Sequence, residues 1–339
     1  VDETKCTGCG ICTQNCPTEV PSEFDMNLGF RKAIYVPFPQ AVPLVCTIDE
    51  EHCLKHTLGI CGLCEKVCKA GAIDFDQKPE EITLNVSAII VATGFNLFNP
   101  SVIKEYGYGQ YKNVLTSMEF ERLVNASGPT GGHIIRPSDG KVPKTIAFIQ
   151  CVGSRSLGRG VAYCSSACCM YATKEAILIK DHEPESEVFI FYIDLRVFGK
   201  GFQDFINRAK EHWGVKYIRG RPGEIIEDPR TKDIIIRCEH TVNREVRELK
   251  VDMVVLCPAL IPVETNKELG ENLGVKLDEY GFFKAKDSML APVDTNVPGV
   301  LICGYCQSPK DIPECVVQAS GAAARAAEVI ALTAHKEAQ

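Results

Sequence analysis

Cysteines 6, 9, 12 and 16, the last followed by Pro17, set the strictest limit on how this chain can fold. Thiols two residues apart meet only where the backbone winds a tight loop around whatever they grip, and a proline after the fourth ends that loop. Eighteen cysteines stand among 339 residues. Disulfide scaffolds are usually short secreted domains, whereas this chain is long and acidic with its cysteines in tight groups, so metal or cluster ligation is the favoured reading. Zinc sites also use paired cysteines, but an unbroken C-x-x-C-x-x-C run favours an iron-sulfur cube. Gly8 and Gly10 stand between the thiols, where a missing side chain lets backbone amides approach the sulfides.

A stretched copy of the pattern follows as Cys53, Cys61, Cys64 and Cys68. Seven residues separate Cys53 from Cys61 where two are usual, and Lys69 takes the place of the proline. Residues 70–75 then read as a closing strand. The two sets together resemble a two-cluster bacterial ferredoxin, which predicts an α+β ferredoxin-like domain over residues 1–80. The resemblance implies a crossover, with Cys6, Cys9, Cys12 and Cys68 on one 4Fe-4S cluster and Cys53, Cys61, Cys64 and Cys16 on the other. Cys46, after a proline-rich stretch, reads as a buried or free thiol.

Composition narrows the class. With 45% hydrophobic residues the chain can bury the cores of two or three domains. A net charge of −7 and no basic block argue against nucleic acid or an anionic membrane surface as the main partner. No apolar run approaches the roughly 18 uncharged residues of a spanning helix, and Val1, Asp2 and Glu3 do not open a signal peptide, so a cytoplasmic location is expected. The missing initiator Met is read as the mark of an excised piece of a longer polypeptide.

After Pro79 a β-branched run ends in Ala92, Thr93 and Gly94, read as a buried strand feeding a small-residue turn. Residues 296–304 form a second such piece, a strand ending at Gly304 and Tyr305, with an alanine-rich helix expected over 313–334. The two turns resemble those of two-dinucleotide-domain flavoproteins such as thioredoxin reductase, and predict an FAD-binding domain over 81–143 and 261–339. In that family a Gly-Asp pair holds the ribityl chain. Gly304, Tyr305 and Cys306 replace it here, leaving Asp311 or the amides near Ile312 for that contact and Gln318 for the edge of the flavin ring. The G-x-G-x-x-G turn that brings amides to a pyrophosphate has no match in the chain, so its strand and glycine loop are expected on an upstream portion or another polypeptide.

Residues 144–260 read as a βαβ unit like a nicotinamide domain, with strands over 144–150 and 187–193 and helices over 166–182 and 201–213. The first strand runs into Cys151, Val152, Gly153 and Ser154 instead of a glycine fingerprint. Cys164, Cys168 and Cys169 follow, so four thiols converge on the sheet edge where α/β folds place cofactors, and a third 4Fe-4S cluster is predicted there. Cys238, Cys257, Cys303 and Cys315 read as small buried hydrophobes, and no redox-active C-x-x-C pair is expected in the flavin body.

These features, with the Cys-Gln-Ser-Pro-Lys-Asp-Ile stretch near the C-terminus, resemble the A-type subunit of heterodisulfide reductase over essentially the whole chain. The resemblance implies an α/β, thioredoxin-reductase-like body, incomplete at its N-terminus, with an inserted ferredoxin domain. It implies three 4Fe-4S clusters and FAD in an electron-transferring, electron-bifurcating oxidoreductase subunit that is not active alone, as in anaerobic methanogenesis. The implied partners are B and C type subunits, a hydrogenase or formate dehydrogenase small subunit, ferredoxin and the remaining portions of the same parent polypeptide. Lys174, beyond Cys169 on its helix, is either a proton-handling residue near the flavin N5 or a solvated lysine. Two other readings stay open: an NAD(P)H-dependent oxidoreductase of the glutamate synthase small subunit type, and a zinc-structured scaffold.

Overall fold

The computed structural model describes residues 1–337, which divide into two compact units. One unit is Val1–Thr83 with Met118–Ile135; the other is Leu84–Ser117 with Arg136 to the C-terminus. The first unit therefore takes in a segment beyond the expected 1–80. That segment is tied by Arg122, whose guanidinium binds Asp25 at 2.8 Å and lies over the Phe24 ring.

The first unit has little regular structure because its loops serve the cysteines. The helices within Val1–Thr83 are single turns, Ile11–Gln14, Leu54–Leu58 and Leu63–Val67, each beginning beside or close to a cysteine, and Met118–Ile135 adds most of the longer helix Ser117–Leu123. Two short antiparallel pairs join Glu19–Pro21 to Phe30–Lys32 and Ile34–Tyr35 to Thr47–Ile48. Its core is built of Cys12, Ile34, Cys46, Cys64 and Ile73. The strand expected over 70–75 does not form; Asp2 N–H donates to the Ala72 carbonyl at 2.7 Å, and the rest of the stretch lacks a ladder partner among the described residues.

The second unit is built on a parallel sheet in the order Lys216–Arg219, Glu187–Tyr192, Thr145–Val152, Met253–Pro258 and Val114–Thr116. Thr145–Val152 is central and almost entirely buried, as a continuous apolar run with both faces covered requires. The helices Cys168–His182 and Phe202–Glu211 connect successive parallel strands, so the expected βαβ order is present. Two features depart from the sequence-based expectation. Val114–Thr116, expected in the flavin domain, is an edge strand of this sheet, and residues 222–251 form an antiparallel three-stranded meander.

The strand Ile89–Val91 pairs in parallel with Val300–Ile302 and with nothing on its other edge among the described residues. Expected to be buried, it instead leaves Ile89 and Ile90 37% and 43% exposed, because a strand paired on one side only has no second neighbour to cover it. The helix Ile312–Glu337 departs from another expectation. Its stretch Ile312–Thr333, with a mean hydropathy of 1.3, is long and apolar enough to cross a membrane, and only 11% of its apolar window is buried. Glu314, Arg325 and Glu328 interrupt it, which hid it from a search for uncharged runs. Arg325 in that stretch binds Asp294 at 3.0 Å.

Arg136 holds the start of the central strands. Its guanidinium reaches Asp233 at 2.8 Å, Asp252 at 3.1 Å and the Thr231 carbonyl at 2.9 Å. Asp252 in turn accepts from the amides of Lys144 and Thr145. Removing one partner of a buried ion pair strands the other, so Arg136→Ala should cost about 3–5 kcal/mol in urea unfolding. Lys216→Ala, which breaks the exposed pair with Glu187, should cost under about 1 kcal/mol.

Candidate functional site

Two cavities in the first unit sort its cysteines. One, of about 300 Å³, is lined by Cys6, Cys9, Cys12 and Cys68, with Cys46 as a fifth thiol. The other is narrower, about 20 Å³, and is lined by Cys16, Cys53, Cys61 and Cys64. Each cavity thus gathers three thiols from one run and the fourth from the other, the grouping that the ferredoxin resemblance implies.

Glycine geometry makes the first loop possible. Gly8 has φ +67°, and a Cβ there would come within 2.5 Å of the Leu44 carbonyl oxygen. Cys9 and Cys61 are exposed, while Cys12 and Cys64 are buried. Burial pushes the Cys64 thiol up to about 11, whereas amides of Leu63 and Gly62 that donate to Cys61 hold its thiol below the usual value. The Cys46 thiol beside Cys12 lowers the latter to about 6, and Cys46 itself is pushed up by Cys12 and by burial.

The third set lies in the second unit, at the C-terminal end of the central strand. Cys151 and Gly153 both take left-handed backbone, φ +60° and +74°, turning the chain sharply off the sheet. A Cβ on Gly153 would lie 2.3 Å from the Phe98 ring, and one on Gly160 would lie 2.0 Å from the Gly153 carbonyl oxygen. The Ser154 hydroxyl donates to the Tyr163 carbonyl at 2.9 Å, closing the loop that returns to Cys164. Cys168 and Cys169 then begin the helix. The four thiols thus lie along one strand, loop and helix start at the C-terminal end of the central strand.

Cys151, Cys168 and Cys169 are buried, and burial pushes Cys168 up to about 12 and Cys169 to about 11. Arg155, paired with Asp194, faces the Cys151 sulfur. The Arg196 amide donates to Cys169 Sγ at 3.4 Å. Thiolates in such surroundings need a cation, which coordinated iron would supply. Among the described residues no three His, Cys, Asp or Glu side chains meet closely enough to grip a single metal ion. A zinc ion needs its sulfurs at about 2.3 Å from one centre. Of the thiol-lined cavities, the one bounded by Cys6, Cys9, Cys12 and Cys68 is the roomy one.

The flavin-type turns lie at the matching ends of the parallel pair. Gly94 and Gly304 have φ +75° and +78°, and the space beside Gly94 is open for 4 Å. Ala92 is exposed, and the Thr93 hydroxyl donates to Asn266 at 2.7 Å. Tyr305 is buried, and its hydroxyl donates to the Ser165 carbonyl at 3.1 Å, inside the loop between Cys164 and Cys168. One turn thus bridges the third thiol set and the end of the parallel pair. These turns fit one side of a flavin dinucleotide, and the pyrophosphate loop has no counterpart among the described residues.

Two expected contacts are otherwise engaged. Asp311, expected at the ribityl chain, accepts from the Glu314 amide at 2.8 Å while its own amide donates to Glu314, a reciprocal cap on the long helix. Gln318, expected at the ring edge, accepts from the Gly304 amide at 2.7 Å, so it shapes the turn. Ile312 and Lys174 are exposed; Thr173 and Glu175 beside Lys174 are buried. Contrary to expectation, the flavin body does hold a C-x-x-C pair, Cys303 and Cys306, flanking Gly304 and visible in the spacing alone. Both are buried, and the Lys310 ammonium nearby donates to the Gly304 carbonyl at 3.1 Å.

Gly153→Ala combines a left-handed backbone with a collision and should lower stability by about 2–4 kcal/mol in denaturant unfolding. Gly158→Ala, with nothing near its Cβ position, should change it by less than about 0.5 kcal/mol.

A family profile described as pyridine nucleotide-disulphide oxidoreductase matches residues 62–323, and one described as 4Fe-4S binding domain matches residues 1–22. A curated relative from Methanocaldococcus jannaschii, the A-type iron-sulfur subunit of CoB–CoM heterodisulfide reductase, is 56% identical over 323 residues, covering 95% of this chain and 48% of the relative. The A-type subunit of the H(2)/formate:CoB-CoM heterodisulfide,ferredoxin reductase of Methanococcus maripaludis is 53% identical over 327 residues, covering 96% and 49%. The chain spans about half the length of the curated relatives it matches. Among solved structures, Lactococcus lactis thioredoxin reductase is similar at 19% identity and a TM-score of 0.47, covering 88% of this chain and 86% of that one.

Proposed function

Since the chain belongs to the pyridine nucleotide-disulphide oxidoreductase family, with curated relatives named as A-type heterodisulfide reductase subunits, we propose that it is the central electron-transfer portion of such a polypeptide. In this reading it carries three 4Fe-4S clusters and one side of an FAD site. Bound there, the clusters supply one-electron steps and the flavin converts between one- and two-electron chemistry.

The chain's own residues have distinct tasks. Cys6, Cys9, Cys12 and Cys68 hold the first cluster, Cys16, Cys53, Cys61 and Cys64 the second, and Cys151, Cys164, Cys168 and Cys169 the third. The turns at Ala92, Thr93 and Gly94 and at Gly304 and Tyr305 orient the flavin. Gly153 and Ser154 shape the loop that delivers Cys164. Lys174 holds a proton for the reduced flavin. The observation that carries the reading is the Tyr305–Ser165 hydrogen bond, which joins the flavin-type turn to the loop bearing the third thiol set. The amides that receive the flavin pyrophosphate come from a further stretch of polypeptide, one that also covers the open edge at Ile89 and Ile90. Its assembly partners are heterodisulfide-reductase B and C type subunits, ferredoxin, and a hydrogenase or formate dehydrogenase small subunit. The compartment is the cytoplasm.

Anaerobic reconstitution with iron and sulfide should load about 12 irons per chain, and Cys168→Ala should lower this by about four. A colourless protein holding about two zincs and no iron sinks the reading. NADH and NADPH should fail to reduce the flavin of the assembled complex, since no glycine fingerprint follows the Thr145–Val152 strand; rapid bleaching of the flavin by either would point to the glutamate synthase type of enzyme.

A further inference from the structure

Cys46 is a thiol that neither ligand set of the first unit uses. It immediately precedes the Thr47–Ile48 strand, which pairing with Ile34–Tyr35 holds from one side. On the other side the Leu44 carbonyl rests against Gly8, where no Cβ would fit, so the loop leading into Cys46 is pressed onto the loop that carries Cys6, Cys9 and Cys12. Cys46 is 3% exposed and Cys12 8%, and their sulfurs lie 3.5 Å apart. Cys46 also lines the same cavity as Cys6, Cys9, Cys12 and Cys68.

We infer that Cys46 is a positioning residue that donates an S–H···S hydrogen bond to the cluster-bound sulfur of Cys12 and so makes the first cluster easier to reduce. This rests on the reading of that cavity as a 4Fe-4S site. A cube takes four thiolates, and the crossover set already provides them. Cys12 gives up its proton when it binds iron, so the hydrogen left between the two sulfurs belongs to Cys46. Hydrogen bonds to ligand sulfurs drain charge from a cluster and favour its more negative, reduced form. Burial of both partners strengthens the effect. The second cavity is lined by Cys16, Cys53, Cys61 and Cys64 with no fifth thiol among the described residues, and serves as an internal reference.

The test uses Cys46→Ala and Cys46→Ser in the whole chain, reconstituted anaerobically, with iron and sulfide analysis and a redox titration followed by electron paramagnetic resonance. In Cys46→Ala the iron content should equal the parent's, while one cluster becomes about tenfold harder to reduce, about 59 mV for a one-electron couple, and the others stay put. Cys46→Ser, whose hydroxyl can donate, should recover most of the shift. If alanine at this site prevents folding, Cys46→Val, close in volume and without a donor, takes its place. Loss of about four irons would make Cys46 a ligand and overturn the inference, as would full iron loading with every potential unmoved. A parent chain that takes up no iron would instead overturn the cluster reading itself.

Discussion

Thiolate sulfur in a dry interior is costly, and the sites of this chain depend on offsetting that cost. Burial pushes Cys64, Cys168 and Cys169 well above the ordinary thiol range, so each would stay protonated without a positive centre to face. In the proposed reading iron would provide that centre, and loading would be coupled to the folding of the loops that bring the sulfurs together. The first unit illustrates the dependence most clearly. The buried cluster beside its thiol-lined cavities consists of three cysteines and two isoleucines, and without iron those cysteines pack only as modest hydrophobes.

The second unit solves the same problem with a scaffold. A buried parallel strand delivers Cys151 to the sheet edge, and left-handed turns at Cys151 and Gly153 bend the chain away before it can continue the ladder. Strained backbone of this kind persists only where its surroundings hold it, here through Phe98, Gly160 and the Ser154 hydrogen bond. The place where a nicotinamide domain cradles phosphate is occupied by sulfur, and Tyr305 ties that sulfur to the neighbouring turn.

Much of this was legible in the sequence because ligand spacing is local information. The three cysteine sets, the βαβ order and the two glycine turns could be read residue by residue. What escaped depended on contacts between distant segments. Met118–Ile135 joins the first unit through Arg122 and Asp25, a pairing no local pattern announces. Val114–Thr116 is too short to be recognised as a strand apart from its sheet. Asp311 and Gln318 were plausible cofactor contacts by position, yet Asp311 caps the long helix and Gln318 accepts from the Gly304 amide. Cys46 looked incidental until the Leu44–Gly8 contact put it beside Cys12.

The exposure of Cys9 and Cys61 sets the order in which these sites meet oxidants. Each cavity of the first unit has one exposed and two half-buried cysteines, whereas Cys151, Cys168 and Cys169 are buried and only Cys164 of that set is half-buried. Sulfur reactivity follows access as much as acidity. By access alone, Cys9 and Cys61 are the sulfurs an oxidant meets first, and Cys151, Cys168 and Cys169 the last.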